Sequence, residues 1–150
     1  MNYSYKHLSV SDLAFLKELL KVFSEAFQDP KAYQSAVPSD EYLQTLLEKR
    51  HFIVLVALDG ENKVVGGLAA YELEKFEQER SEIYIYDLAV AMPHRRKGIA
   101  RALISKLKDI ARKRKAYVIF VQADPEDTPA IKLYESLGKR EDVHHFDIPV

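Results

Sequence analysis

Apolar residues at Leu13, Leu16, Leu19, Leu20, Phe23 and Phe27 line one face of a helix over residues 9–27, and Ser9 with Asp12 three positions later fits a capping box at its start. A second short helix is expected over 39–50, behind the start Pro38-Ser39-Asp40. Before them, the alternation in YSYKHL (3–8) reads as a first strand. HFIVLVAL (51–58) and KVVGGLAAYEL (63–73) flank the turn DGEN and form a hairpin, in which Gly66-Gly67 marks a bulge or a close approach of backbones. EIYIYDLAV (82–90) is aromatic and β-branched, the composition of a central strand. Ile99, Leu103, Leu107, Ile110 and Ala111 then repeat at helical spacing over 98–114. AYVIFVQA (116–123) is almost uninterrupted apolar sequence, which predicts a strand buried on both faces. TPAIKLYESLG (128–138) is a short helix with Pro inside its start and Gly past its end, and EDVHHFDIPV reads as a closing strand. The order is a strand, two helices, a three-strand antiparallel meander, then helix, strand, helix, strand. That is a mixed α/β sheet whose fourth and fifth strands are joined by one βαβ crossover.

The chain has 150 residues, 47% hydrophobic and 30% charged, with a net charge of -1. This is one domain's length, residues 1–150, with no repeat or linker, and its balance advertises neither nucleic acid nor an anionic membrane surface. The basic run ARKRK (111–115) is the exposed end of a helix, where cations suit the helix dipole. Cysteine is absent, which removes disulfides, thiolate metal sites and an acyl-cysteine intermediate. No His/Asp/Glu spacing makes a metal site, and no signal-peptide pattern or membrane-length apolar run occurs, so a cytoplasmic protein is expected.

The segment MPHRRKGIARALISKL (92–107) sets Arg95, Arg96 and Lys97 against Gly98 and the start of a helix. Unpaired N–H groups and the positive end of the dipole gather there, which suits a phosphate. Glycine removes the Cβ that would hold a ligand off, and Ala100 keeps the next turn clear. Neither G-x-x-x-x-G-K-[ST] nor G-x-G-x-x-G is present, so the corner is not a triphosphate loop or a dinucleotide fingerprint.

RRKGIA (95–100) resembles the Q/R-x-x-G-x-G/A motif of the GNAT N-acetyltransferases, with YDLAV before it and AIKLYESLG after it at that superfamily's spacing. The resemblance implies a GNAT fold, a mixed central sheet whose strands 4 and 5 splay apart, flanked by helices. It also implies that the amides of this loop hold the pyrophosphate of acetyl-coenzyme A, with Arg95, Arg96, Lys97, Gly98, Ile99, Ala100 and Arg101 as the contacting stretch. GGLAAYELEKFEQERSEIYIYDLAV, AYVIFVQAD and the closing HFDI are more narrowly similar to aminoglycoside 3-N-acetyltransferases of the gentamicin and fortimicin type, over most of residues 40–148.

Moving an acetyl group from a thioester to an amine needs a neutral amine, donors for the oxyanion and a proton for the thiolate. By position in the family, the Leu88 N–H serves the oxyanion, while Ala89 and Val90 pair with the pantetheine arm. Tyr134 matches the general acid. The family's usual Glu falls here on Tyr84, so Asp87 is the expected base, with Glu82 in reserve. Strict alternation would put Glu82 and Asp87 on opposite faces of their strand, unless a bulge lies between them. Asp127 stands where relatives carry a coenzyme-contacting Asn, and a carboxylate there suits the substrate side better.

A polycationic amine calls for carboxylates, and Glu82, Asp87, Asp124, Asp127 and Asp147 are the expected ones; Glu126, Glu141 and Asp142 also lie in the loops. Tyr33, Tyr42, Tyr84 and Tyr86 either wall the pocket or fill the core. Of His144 and His145, one should face inward, where it could orient Asp147. The resemblance thus implies transfer of acetyl from acetyl-coenzyme A to the 3-amino group of an aminoglycoside, by direct attack in a ternary complex, in a homodimer that confers antibiotic resistance. The rivals are a GNAT enzyme for another cationic amine (a polyamine, a diamine or a peptide N-terminus) and a non-catalytic acetyl-coenzyme A sensor.

Overall fold

The computed structural model describes residues 2–28 and 36–150. It divides into two compact units, Met1–Phe120 and Val121–Val150. The first holds β1 (Ser4–His7), α1 (Leu13–Phe27), α2 (Asp40–Glu48), β2 (Phe52–Leu58), β3 (Val64–Glu74), β4 (Ser81–Val90) and α3 (Ile99–Arg114). β5 (Ala116–Val121) runs to the unit boundary, and α4 (Thr128–Leu137) belongs to the second unit. The strands form one sheet in the order β1-β2-β3-β4-β5, antiparallel through β4 and parallel between β4 and β5. This mixed sheet is the expected one, reached through the α3 crossover.

α1 starts later than its sequence pattern suggests. Asp12 reaches back to the Ser9 N–H at 2.8 Å, which is half of a capping box, but the Ser9 hydroxyl also donates to Asp12 and leaves the helix uncapped until Leu13. Ser39 caps α2 by accepting from the Tyr42 N–H. The apolar stripes of α1 and α2 (Leu16, Leu19, Phe23, Leu43, Leu47) bury against Val54, Val56 and Ala89 on one face of the sheet. Leu103 and Leu107 of α3 are fully buried along with Ile53, Leu68 and Ile83, whose positions alternate with the first set. Each such side chain contributes roughly 1.5–3 kcal/mol of burial. Gly67 lets α1 come this close: a Cβ there would lie 2.6 Å from both Leu19 Cδ1 and the Leu55 carbonyl oxygen.

Two bulges interrupt the ladders. Ala57 faces Gly66 whereas Leu58 faces Val64, so Val65 is the extra residue beside the glycine pair. Ala69 faces Asp87 whereas Ala70 faces Ile85, so Tyr86 is the extra residue in β4.

Two expectations fail. β5 is not buried on both faces; none of its residues is buried, and Tyr117 and Val118 are exposed, because β5 ends the sheet. The closing strand is absent too. Residues 139–150 carry no regular secondary structure and are exposed throughout.

Candidate active site

The bulge at Tyr86 decides the face on which the fourth strand presents its carboxylate. Glu82 faces Leu73, and Tyr84 faces Tyr71, on one side of the sheet. With one residue inserted, Asp87 faces Ala69 and returns to that same side, although its separation from Glu82 is odd. Asp87 therefore sits at the end of a row of tyrosines. Tyr71 and Tyr84 each meet Tyr86 edge-on with ring centroids 6.0 Å apart, and Tyr84 stacks on Phe120 at 4.7 Å. Tyr84 is thus partly packing, while Tyr86 stays exposed. Burial first, then Tyr86, Tyr42 and Asp87, raise the Tyr71 hydroxyl above its ordinary pKa. Burial, then Tyr86 and Asp87, do the same for Tyr84. The Asp87 carboxylate and the Tyr42 hydroxyl of α2 therefore face one small surface. Sequence alone does not single out Tyr71; its cross-strand pairing with Tyr84 places it there. Tyr33 lies outside the described residues.

Glu82 is differently employed. It accepts from the Tyr117 hydroxyl at 2.8 Å and lies 3.5 Å from the Lys75 ammonium, while the Arg80 guanidinium sits 3.7 Å above the Tyr117 ring. Its charge is matched within the protein, which leaves Asp87 as the carboxylate of β4 that lies among the tyrosines.

Tyr117 lies beside Glu82 and Phe120 beside Tyr84, so β5 advances along β4 only as far as its middle and ends at Val121. Leu88, Ala89 and Val90 lie beyond that level, at the end of β4. Past them the chain makes a 3-10 turn, Met92–His94, and enters the basic loop. Three contacts fix this passage. The Ala91 N–H donates to the Val65 carbonyl, the Tyr3 hydroxyl meets His94 Nδ1 at 2.8 Å, and Arg95 Nε donates to the Val90 carbonyl at 2.9 Å. Arg95 is thus folded back onto β4 and ties the loop to the strand. His94 was not legible as an anchor, since its partner Tyr3 lies at the far end of the sequence.

The loop backbone is left-handed at Arg96 (φ 63°) and at Gly98 (φ 81°), which caps α3. A Cβ at Gly98 would meet nothing within 4 Å, so the space above the helix start is open. Ile99 is 2% exposed and offers its backbone alone, while Lys97 is exposed. Exposed cations, N–H groups turned outward and a bare glycine suit a pyrophosphate.

In the second unit, Asp127 accepts from the Ala130 N–H and caps α4. Burial, and then the charge of Asp127, push the Tyr134 hydroxyl up to about 12. It is therefore protonated at any working pH. Asp124 lies in the loop before α4, its carbonyl accepting from the Asp127 N–H. Neither His144 nor His145 turns inward; both are exposed, and His145 Nε2 lies 2.9 Å from Asp147. Asp142 pairs with Arg140 at 2.8 Å. Among the described residues no His/Asp/Glu group gathers that could hold a metal, and no helix is long and apolar enough to cross a membrane.

The model of the acetyltransferase (GNAT) family matches residues 14–139. This chain belongs to that family. An aminoglycoside acetyltransferase from an uncultured soil metagenomic sample is 58% identical with a TM-score of 0.97, over 100% of this chain and 99% of that one. A second soil metagenomic aminoglycoside acetyltransferase, solved in complex with sisomicin, is 35% identical with a TM-score of 0.91, over 99% and 96%. A streptothricin acetyltransferase of Streptomyces lavendulae is 33% identical over 73 residues, which are 49% of this chain and 39% of that enzyme's length.

GNAT enzymes take acetyl-coenzyme A as co-substrate, and the open glycine corner of this chain fits its pyrophosphate. Gly98→Ala forces an L-residue into the left-handed region at about 1–2 kcal/mol and puts a methyl into the open space. The expected result is a KM for acetyl-coenzyme A raised about tenfold or more, against a fall in thermal midpoint of only a few degrees. Initial rates at varied coenzyme and a thermal melt check both. An unchanged KM would remove this loop from coenzyme binding.

Proposed function

We propose that this protein is one acetyltransferase domain spanning residues 1–150. In our reading it moves acetyl from acetyl-coenzyme A to the 3-amino group of an aminoglycoside, in the cytoplasm and with antibiotic resistance as the outcome. The observation that carries the reading is Asp87, turned by the β4 bulge onto the tyrosine surface where β5 has ended. A carboxylate among aromatic rings attracts a polycation, and as a base it takes a proton from an ammonium. The similarity to two aminoglycoside acetyltransferases, one holding sisomicin, supports the choice of amine.

In the proposed reaction Asp87 removes one proton from the bound ammonium, directly or through a water. The neutral amine attacks the thioester carbonyl, and the carbon–nitrogen bond forms as the carbonyl oxygen takes up negative charge. The Leu88 N–H meets that charge, a contribution of about 2.7–4 kcal/mol for one such donor. The intermediate collapses with cleavage of the carbon–sulfur bond, and the nitrogen's second proton passes to the departing sulfur, which leaves the amide and the free thiol of coenzyme A while the first proton stays on Asp87. Tyr134 takes its role from its place in AIKLY. With its hydroxyl at about 12, well above an ordinary thiol, it acts as a hydrogen-bond donor to the departing sulfur rather than as a strong acid. Ala89 and Val90 hold the pantetheine arm, and Arg96, Lys97, Gly98, Ala100 and Arg101 hold the pyrophosphate. Asp124, Asp127 and Asp147 are the further carboxylates we assign to the antibiotic's other ammonium groups, whereas Glu82, expected among them from sequence, is engaged by Tyr117 and Lys75.

Purified protein with acetyl-coenzyme A, offered sisomicin, gentamicin, spermidine and a short basic peptide in turn, tests the reading through thiol release. NMR of the product locates the acetyl group. Release with the aminoglycosides and a 3-N-acetyl product is expected. Turnover of spermidine or peptide alone keeps the fold and coenzyme but overturns the antibiotic assignment. Coenzyme binding without turnover of any amine makes the protein a sensor.

A further inference from the structure

Tyr3 and His94 lie 91 positions apart, yet they meet in two ways: the hydroxyl stands 2.8 Å from His94 Nδ1, and the rings pack edge-on with centroids 5.6 Å apart. The proposed reaction uses neither residue. Both lie within the unit Met1–Phe120, as does the glycine corner. Tyr3 immediately precedes β1, which pairs with β2 from Ser4 onward, so the sheet holds its main chain. His94 closes the 3-10 turn after β4. Of residues 92–98, His94 alone is half-buried; the others are exposed. A polar ring gives up solvent cheaply only where it finds a partner, and Tyr3 is that partner. The bond holds in either charge state of the imidazole, because a hydroxyl can donate to a bare Nδ1 or accept from Nδ1–H.

This contact holds the entrance to the glycine corner. Arg96, two residues on, and Gly98, four residues on, are left-handed. Among the described residues, the N–H groups of Arg96, Lys97 and Gly98 make no backbone hydrogen bond. That suits an anion-binding loop, but it leaves the loop without internal support. Its position is therefore set from its two ends. Downstream, Ile99 is pinned in the core. Upstream, Arg95 holds through a long exposed side chain, which loses rotamer entropy in doing so, whereas His94 holds through a stiff, half-buried ring. A loop fixed before its ligand arrives binds that ligand at a smaller ordering cost.

We infer that Tyr3 is a positioning residue for the coenzyme: acting through His94, it presets residues 95–98 for the pyrophosphate. The inference rests on the reading of that loop as the pyrophosphate site, and it does not depend on which amine is acetylated.

Calorimetric titration with coenzyme A, with no amine present, tests it. Tyr3→Phe keeps the ring contact and removes only the hydroxyl. It is expected to weaken coenzyme A binding about three- to tenfold, the factor for one net hydrogen bond. The KM for acetyl-coenzyme A should rise by the same factor, while kcat at saturating coenzyme stays within about twofold. His94→Asn puts an amide where Nδ1 stood and is expected to bind near-natively while Tyr3 is present. His94→Leu should lose at least as much as Tyr3→Phe, and combining the two should add little, because the path through His94 is already cut. Gly98→Ala separates the inference from the reading beneath it. If Gly98→Ala leaves coenzyme A binding unchanged, the loop does not hold the pyrophosphate and the inference falls with that reading. If Gly98→Ala weakens binding and Tyr3→Phe does not, the loop reading stands and the inference alone is overturned. A Tyr3→Phe variant that lowers the thermal midpoint without moving the dissociation constant, or lowers kcat rather than affinity, overturns it as well. Should His94→Leu fail to fold, the conservative pair decides: weaker binding in Tyr3→Phe with near-native binding in His94→Asn supports the inference, and any other pattern overturns it.

Discussion

Asp87→Asn lowers kcat for an aminoglycoside by roughly 10²- to 10⁴-fold, the range for a lost general base, and leaves the KM for acetyl-coenzyme A within about twofold. The substitution keeps the side chain's shape and an oxygen acceptor beside Tyr71, Tyr84 and Tyr86, so the tyrosine surface survives and the change isolates the charge and the proton. Two effects are mixed at this carboxylate, and steady-state kinetics separates them. If Asp87 only attracts the polycation, the KM for the antibiotic rises while kcat holds, and raising the salt concentration weakens the native protein toward the variant. If it takes the proton, kcat falls at saturating antibiotic, and raising the pH so that more of the free amine is already neutral recovers part of the loss. An unchanged kcat/KM would sink the assignment of Asp87 and reopen the search among the carboxylates of residues 121–150. A hydrogen-bonding role for Tyr134 predicts a milder loss for Tyr134→Phe, because a group held at about 12 gives little driving force for full proton transfer to a thiolate.

How this site was legible in the sequence depends on the range of the forces that make it. The glycine corner is local: Gly98, its cations and the helix after it are adjacent residues, so the sequence shows them together, although it does not mark the left-handed backbone at Arg96 and Gly98. The meander and the crossover helix follow from periodicity for the same reason, whereas the place of β1 beside β2 is defined by pairing across the intervening helices. Asp87 was legible as a residue type but not as a direction, because one inserted residue at Tyr86 reverses which face a strand presents, and that insertion is defined by the pairing of β3 with β4. Tyr71 and His94 depend on partners distant in the chain, Tyr84 and Tyr3, so no local pattern marks them. At β5 and the tail the local pattern is sound but its environment is missing. AYVIFV and HFDIPV both read as sheet strands, yet the first ends the sheet order and the second takes no regular secondary structure. Periodicity reports what a segment needs, not what surrounds it.

Glu72 was hidden for a related reason: a charged residue in an apolar strand shows no sign of its partners. It is buried, accepts from the Ser81 hydroxyl at 2.6 Å and from Arg114 at 2.9 Å, and has Arg50 at 3.7 Å. These contacts join β3 to its neighbour β4, to the end of α3 just before β5, and to the start of β2. Burial alone would raise its pKa, but the Ser81 and Arg114 hydrogen bonds and the charges of Arg114 and Arg50 outweigh it and hold the carboxyl below its ordinary value. Glu72→Ala strands the largely buried Arg114 guanidinium and is expected to cost about 3–5 kcal/mol, measured as urea unfolding at pH 7. The pH dependence has a definite sign. A carboxyl with a depressed native pKa contributes stability that is complete above its unfolded value of 4.5, and that stability is lost as the pH falls through the lower native value. The native protein should therefore lose stability on acidification below about pH 5, and the gap to Glu72→Gln should narrow over the same interval. Adding Arg114→Met to Glu72→Gln should recover much of the loss, since the cost of breaking a buried pair is mostly that of the abandoned charge. If the double variant is as unstable as Glu72→Ala, the network stabilises through its pairing rather than through mutual neutralisation. If Glu72→Ala costs under about 1 kcal/mol, the pair behaves like a surface ion pair and does not hold the end of α3 against the sheet.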